Sequence, residues 1–211
     1  MKIYIADVTL PEIAYMEGLV SKARIDRSKK YKFEIDRRRS LGVEALLNYA
    51  VRSTYPSVPI PVRLMADEHK KPHLIGEHIE FSLSHSGNYA ACVIADVPVG
   101  IDIERHRSDN QGVARRFFTR RECADITDDE RFYTYWTLKE SFVKAVGQGL
   151  SLPMNSFEVM LGKAGEPVAY TQHINEENYF GMTYSIEQGY SLAVCARGIK
   201  ELPAEIEVAA L

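Results

Sequence analysis

Val99-Gly100-Ile101-Asp102-Ile103-Glu104 is the stretch on which the reading of this chain turns. As a β-strand it alternates, with Val99, Ile101 and Ile103 on one face and Gly100, Asp102 and Glu104 on the other. The first face asks for a core, and the second sets two carboxylates side by side. Like charges at that spacing repel unless a cation lies between them, and hard carboxylate oxygens suit Mg²⁺. The plainer reading is the solvated edge of an amphipathic strand. Gly100 leaves room for a bulky ligand to approach the backbone.

Upstream, Lys71-Pro72 precedes Phe81-Ser82-Leu83-Ser84-His85-Ser86. That segment reads as a strand ending in hydroxyls, an imidazole and free backbone N–H groups, a set able to grip phosphate oxygens. Adjacent strand residues point to opposite faces, so neither Ser84 nor Ser86 can form a nucleophile–base relay with His85. Downstream lies Trp136-Thr137-Leu138-Lys139-Glu140-Ser141-Phe142-Val143-Lys144. Trp136, Glu140 and Lys144 share one helical face. A third carboxylate with a lysine one turn away fits a metal-bound phosphate, Glu140 binding metal or taking a proton and Lys144 neutralising charge. Taken alone, the pair is an ordinary surface Glu–Lys pair beside a core tryptophan. Gly147-Gln148-Gly149-Leu150 lacks the third glycine of a dinucleotide fingerprint and reads as a helix stop.

Around these motifs the pattern predicts an α+β chain. A strand covers 2–8, a helix runs from Pro11 to about Ala23, and a longer helix from about Ser28 to Val51. Strands follow at 79–84, 89–95 and 99–104. A capping box formed by Thr127 and Glu130 opens a helix that runs to Val146. Strands near 156–161, 179–187 and 190–196 complete the second half. Gly87-Asn88-Tyr89-Ala90-Ala91-Cys92-Val93 faintly echoes Gly189-Tyr190-Ser191-Leu192-Ala193-Val194-Cys195, which hints at two similar lobes. Residues 22–39 carry nine Lys or Arg against three Asp or Glu, mostly a solvated helix face with room for one or two anion contacts.

The chain has 211 residues, 45% hydrophobic and 26% charged, with a net charge of −3. That size holds a real core, and the acidic balance argues against broad binding of DNA or RNA. Three cysteines without a C-x-x-C pair fit a reducing compartment. No signal peptide or membrane span is legible, so the expected location is cytoplasmic, with no membrane partner.

In this order, the Lys-Pro, Ser-His-Ser, Gly-Ile-Asp-Ile-Glu and Trp-x-x-Lys-Glu elements resemble the Sfp-type 4′-phosphopantetheinyl transferases over residues 70–152. The resemblance implies two α/β lobes related by a pseudo-twofold, residues 1–103 and 104–211, with the active site in the cleft between them. It implies transfer of phosphopantetheine from coenzyme A to a serine of an apo acyl or peptidyl carrier, by a monomeric enzyme. By the same resemblance Asp102, Glu104 and Glu140 hold Mg²⁺ on the pyrophosphate, and Lys144 and His85 contact phosphates, these two with Glu140 being the catalytic groups. Lys71, Arg39, Ser40 and Ser84 join them as coenzyme A contacts. The family's glycine before Lys-Pro is Lys70 here, and the asparagine often found after the phenylalanine is Ser82; neither change removes a charge. Arg24 and Arg27 are further basic candidates on the early helix.

Two other classes compete. A Mg²⁺-dependent nuclease also gathers carboxylates and a lysine, but the net charge gives a nucleic-acid backbone little footprint. A non-catalytic coenzyme A-binding protein needs the basic pocket but not three converging carboxylates. Arg115, Arg116, Arg120 and Arg121 around Phe117-Phe118 offer a basic, aromatic segment for an acidic partner, carried by Arg116, Arg120 and Arg121, with at least one phenylalanine in the core.

Overall fold

The structure is a computed structural model that describes residues 1–108, 111–162 and 166–211. In chain order the strands are β1 (Lys2–Asp7), β2 (Leu64–Ala66), β3 (Pro72–Leu74), β4 (Glu80–Ser86), β5 (Tyr89–Ala95), β6 (Val99–Arg105), β7 (Glu158–Met160), β8 (Val168–Thr171), β9 (Tyr179–Tyr184), β10 (Tyr190–Arg197) and β11 (Glu207–Val208). The helices are α1 (Ile13–Gly18), α2 (Lys22–Ser28), α3 (Glu34–Thr54), α4 (Gln111–Phe117), α5 (Arg120–Asp125) and α6 (Asp129–Val146).

Two sheets and two long helices make four layers. One sheet has the order β11-β1-β5-β4, the other β6-β10-β9-β8-β7, and β2 and β3 form a separate ribbon. The sheets face each other through a dry middle layer. Ile3, Ile5, Ala91 and Val93 of the first meet Val99, Ile101, Ile103, Leu192 and Val194 of the second. The alternate residues of the same strands point outward: Tyr4, Ala6, Ala90 and Cys92 pack on Val43, Leu46, Leu47 and Ala50 of α3. Ala193 and Cys195 meet Leu138 and Phe142 of α6. β1, β5 and β10 are thus buried on both faces, which is why they read as near-continuous apolar runs.

The chain enters the second sheet at β6, which pairs antiparallel with β10, and returns to the first at β11, which pairs parallel with β1. Each of the two sheets is therefore backed by one long helix. The turns of the echoed segments meet: Tyr89 and Tyr190 pack edge to face with centroids 5.1 Å apart, and the Tyr190 hydroxyl accepts from Asn88 N–H at 3.0 Å.

Several boundaries differ from expectation, each for a local reason. The helix expected over 11–23 is two pieces, because Ser21 caps α2 through Arg24 N–H while its own N–H donates to Glu44 Oε1 at 2.7 Å. The long helix starts at Glu34 rather than near Ser28, which instead closes α2. α6 is capped by Asp128, whose Oδ1 accepts from Arg131 N–H, one residue later than the expected Thr127–Glu130 box. The capping box of the second half is at Thr119 and Glu122. Gly147 ends α6 as expected, in the left-handed region at φ 85°.

Candidate active site

β6 carries its apolar residues into the middle layer, so Gly100, Asp102 and Glu104 face α6. At Gly100 the helix backbone comes so close that an added Cβ would overlap Ser141 O and lie 2.7 Å from Ala145 N. This corrects the expectation that Gly100 admits a ligand: the bulky neighbour is α6 itself. Its approach places the next turn of the helix against the carboxylates. Lys144 Nζ donates to Asp102 Oδ1 at 2.7 Å and to Ile101 O at 2.9 Å.

Asp102 is 4% exposed, and its Oδ2 is buried with no hydrogen-bond partner. A naked carboxylate oxygen in such a place is costly unless a ligand completes it. Burial first, then the Asp102 charge, raises the Glu140 carboxyl above the usual carboxylate range. Burial also raises Glu104, against a hydrogen bond donated by Ser86 that pulls it down. The three carboxylates therefore share one poorly hydrated field, opposed by the Lys144 charge and, at Glu104, by Arg107 as well. Among the described residues no three metal-binding groups stand close enough to close a cage as they are. The donor chemistry and the orphaned Asp102 Oδ2 fit a hard divalent cation.

His85 stands at the mouth of this field. The residue is exposed, and desolvation, with the charges of Arg39 and Lys144, lowers its pKa below the ordinary value. Arg39 sits on the same side, with Nε donating to Gly87 O at 2.7 Å and Nη1 3.0 Å from Asp36. Ser40 is 4% exposed with an unpartnered Oγ. Arg24 is tied to Glu44 at 2.8 Å.

A cavity of about 760 Å³ opens beside Glu140 and Lys144, lined also by Lys71, Phe117, Trp136 and Met154 among others; Asp102, Glu104 and His85 are not in its lining. Lys71 reaches it with Nζ 3.5 Å from Glu80. The structure thus brings together Asp102, Glu104, Glu140, Lys144 and His85, with Lys71 lining the cavity near Gly147 at the end of α6. Arg39 lies near His85, and Ser40 is held inside α3's packed face. Ser84 Oγ is already engaged, donating to Asp102 Oδ1 at 2.8 Å.

Sequence reasoning misses the place of three residues, among them Arg116, which it reads only as part of a partner surface. Ser86 donates to Glu104 Oε2 at 2.7 Å, a role legible only once β6 is known to lie beside β4. Arg116, whose guanidinium lies over the Phe117 ring, lines the cavity. Lys139, inside the Trp-x-x-Lys-Glu motif, is fully buried: Nζ donates to Met154 O at 2.6 Å and Phe157 O at 2.8 Å and pairs with Glu122 at 3.0 Å. Its charge pins the chain after α6 rather than facing the cleft.

Comparison with known proteins shows what the chain is similar to. A family model described as the 4′-phosphopantetheinyl transferase superfamily matches residues 98–195, the span from β6 into β10. The chain is 32% identical over 188 residues to a 4′-phosphopantetheinyl transferase of Bacillus subtilis, covering 86% of this chain and 84% of that one. It is 32% identical over 208 residues to the transferase ffp of Bacillus subtilis, covering 93% and 92%. It is 30% identical over 186 residues to the transferase Sfp of Bacillus subtilis strain 168, covering 85% and 83%.

Proposed function

Since this chain belongs to the 4′-phosphopantetheinyl transferases and is an enzyme that modifies carrier proteins, we propose that its donor is coenzyme A and its acceptor a serine hydroxyl of an apo acyl or peptidyl carrier. The observation that carries this reading is the buried, unpartnered Asp102 Oδ2 beside two carboxyls of raised pKa and the Lys144 ammonium, with Glu140 and Lys144 also lining a cavity large enough for a nucleotide-sized ligand.

In this reading Asp102, Glu104 and Glu140 hold Mg²⁺. When bound, the ion supplies charge neutralisation and a template for the pyrophosphate. The cleft lies between two pseudo-twofold lobes; the boundary expected at 103/104 would cut β6, which pairs with β10 from Val99 to Arg105, so in this reading the second lobe begins at Val99 and β11 returns to the first.

The serine oxygen attacks the β-phosphorus, the bond to the bridging oxygen breaks, and adenosine 3′,5′-bisphosphate leaves with the electron pair. Such transfer asks mainly for alignment and charge neutralisation. Glu140 is placed to accept the serine proton, directly or through a water. Lys144 and His85 stabilise charge on the bridging and equatorial oxygens. Lys71, Arg39 and Ser40 serve the adenosine and 3′-phosphate end; Ser84, whose hydroxyl is committed to Asp102 and the Ile103 amide, is not counted among these contacts.

In this reading the enzyme acts as a cytoplasmic monomer. Among the described residues no helix is long and apolar enough to cross a membrane.

The test is to incubate the protein with coenzyme A, Mg²⁺ and an apo carrier, then weigh the carrier. A gain of one phosphopantetheine that disappears in excess EDTA is the expected result. Full modification in EDTA removes the metal assignment; no modification across a panel of apo carriers removes the donor and acceptor assignments. A serine-to-alanine carrier identifies the acceptor.

A further inference from the structure

β4 and β6 are neighbouring edges of two different sheets, and no backbone ladder pairs them. Three serines fill that place. Ser82, Ser84 and Ser86, on one face of β4, accept from the N–H groups of Ile101, Ile103 and Arg105 at 3.2, 3.3 and 3.0 Å, at a constant offset of 19 residues. Each hydroxyl has one hydrogen to give, and an amide N–H cannot take it. Ser84 gives its hydrogen to Asp102 Oδ1 at 2.8 Å and Ser86 to Glu104 Oε2 at 2.7 Å. Ser82 has no carboxylate to reach, because the matching residue on β6 is Gly100.

We propose that Ser84 and Ser86 are positioning residues that aim the Asp102 and Glu104 carboxylates at the divalent cation, while Ser82 only holds the seam. The inference rests on the metal reading given above. Each serine is anchored by a β6 amide one residue beyond the carboxylate it orients, so the carboxylate rotor is referred to its own strand. At Asp102, Oδ1 is taken by Ser84 and Lys144, which leaves the buried Oδ2 as the oxygen presented to a ligand. Donors that fix a ligating carboxylate are typically worth roughly 10–100-fold in metal affinity or activity. A purely architectural ladder would instead treat its three rungs alike.

The rungs supply their own control. In full-length protein saturated with coenzyme A, Mn²⁺ affinity is read by water-proton relaxation and stability by thermal melting. Ser84→Ala and Ser86→Ala should each weaken Mn²⁺ binding about tenfold, and Ser84→Thr and Ser86→Thr should recover most of it. Ser82→Ala should lower the melting temperature while Mn²⁺ affinity stays within about twofold of wild type. Coenzyme A affinity measured by calorimetry in EDTA should be unchanged in all three alanine variants.

Equal loss of Mn²⁺ affinity at all three rungs, in step with melting, would overturn the proposal in favour of a structural seam. Unchanged Mn²⁺ affinity in both Ser84→Ala and Ser86→Ala would overturn it as well. A loss of coenzyme A affinity in EDTA on Ser84→Ala would overturn it for Ser84 by making that hydroxyl a direct ligand contact. If wild-type protein with coenzyme A binds no Mn²⁺, the metal reading itself fails and the positioning role falls with it, a result distinct from the others.

Discussion

Gly100→Ala is the sharpest test of how the cleft is built. The added methyl carbon would overlap Ser141 O, sit 2.7 Å from Ala145 N and 2.9 Å from Lys144 Cβ. Two of those atoms are helix backbone, so no side-chain rotation relieves the clash. β6 and α6 must separate by on the order of 1 Å, a shift of the size that costs about 100-fold in rate when catalytic groups lose register. Asp102 and Glu104 would stay with the strand while Glu140 and Lys144 leave with the helix, stretching the 2.7 Å Lys144–Asp102 contact. Overpacking of this kind costs about 1–3 kcal/mol, or roughly 2–12 °C of melting temperature for a chain of this size. Mass-spectrometric rates of carrier modification, with circular dichroism and melting on the same preparation, separate the two effects. A folded, cooperatively melting Gly100→Ala protein should lose at least tenfold in kcat/KM at saturating Mg²⁺, well beyond any folded fraction lost. Wild-type kcat/KM in that protein would refute the argument that helix approach at this glycine sets the alignment of the site.

The raised carboxyls of Glu104 and Glu140 bind protons more readily in the folded state than in the unfolded one, so the apoprotein should lose stability as pH rises from about 4.5 through their raised pKa values. Mg²⁺ needs them ionised, so the melting shift it produces with coenzyme A should grow between pH 5 and 7.5; a shift that is flat with pH would argue against these ligands. His85, with its lowered pKa, has the opposite sign: its contribution is complete above about pH 6.5 and declines as pH falls below that, so His85→Asn should blunt acid destabilisation in that window. Lys139→Met should cost about 3–5 kcal/mol by leaving Glu122 buried without its cation, and adding Glu122→Gln should recover part of it; a neutral Lys139→Met would show the pair is not holding α6 to the following chain. Arg115, Arg116, Arg120 and Arg121 are all exposed while Phe118 is core. Arg120→Glu with Arg121→Glu should therefore raise the KM for an apo carrier several-fold and leave coenzyme A binding intact, with the gap narrowing as salt is added.

What the sequence made legible, and what it hid, follows from the range of the interactions. β6 was readable because its two faces meet different surroundings, a dry middle layer and the α6 face, and alternation records that difference in six residues. α6 was readable because Glu140 and Lys144 fall one turn apart on one face and Gly147 supplies the left-handed stop. The first helix was misjudged because its break at Ser21 depends on Glu44, 23 residues away, satisfying an amide that no local pattern shows to be occupied. Lys139 was passed over for a related reason. A lysine inside a motif reads as chemistry, whereas its partners Met154 O, Phe157 O and Glu122 converge only after the chain has turned back on α6. The alternation of Ser82, Ser84 and Ser86 was visible, but a strand of serines says nothing about which strand lies beside it. That neighbour is β6, and the shared offset of 19 residues makes the meaning of each serine depend on the residue opposite. Glycine at 100 makes Ser82 a strut, and carboxylates at 102 and 104 turn Ser84 and Ser86 toward the cation site. Moving the pairing by two residues would set Ser82 beside Asp102 and Ser84 beside Glu104, leaving Ser86 with no carboxylate. The site is therefore specified jointly by two short alternating strands and the register between them, and a motif search over either strand alone recovers the ligands without the groups that aim them.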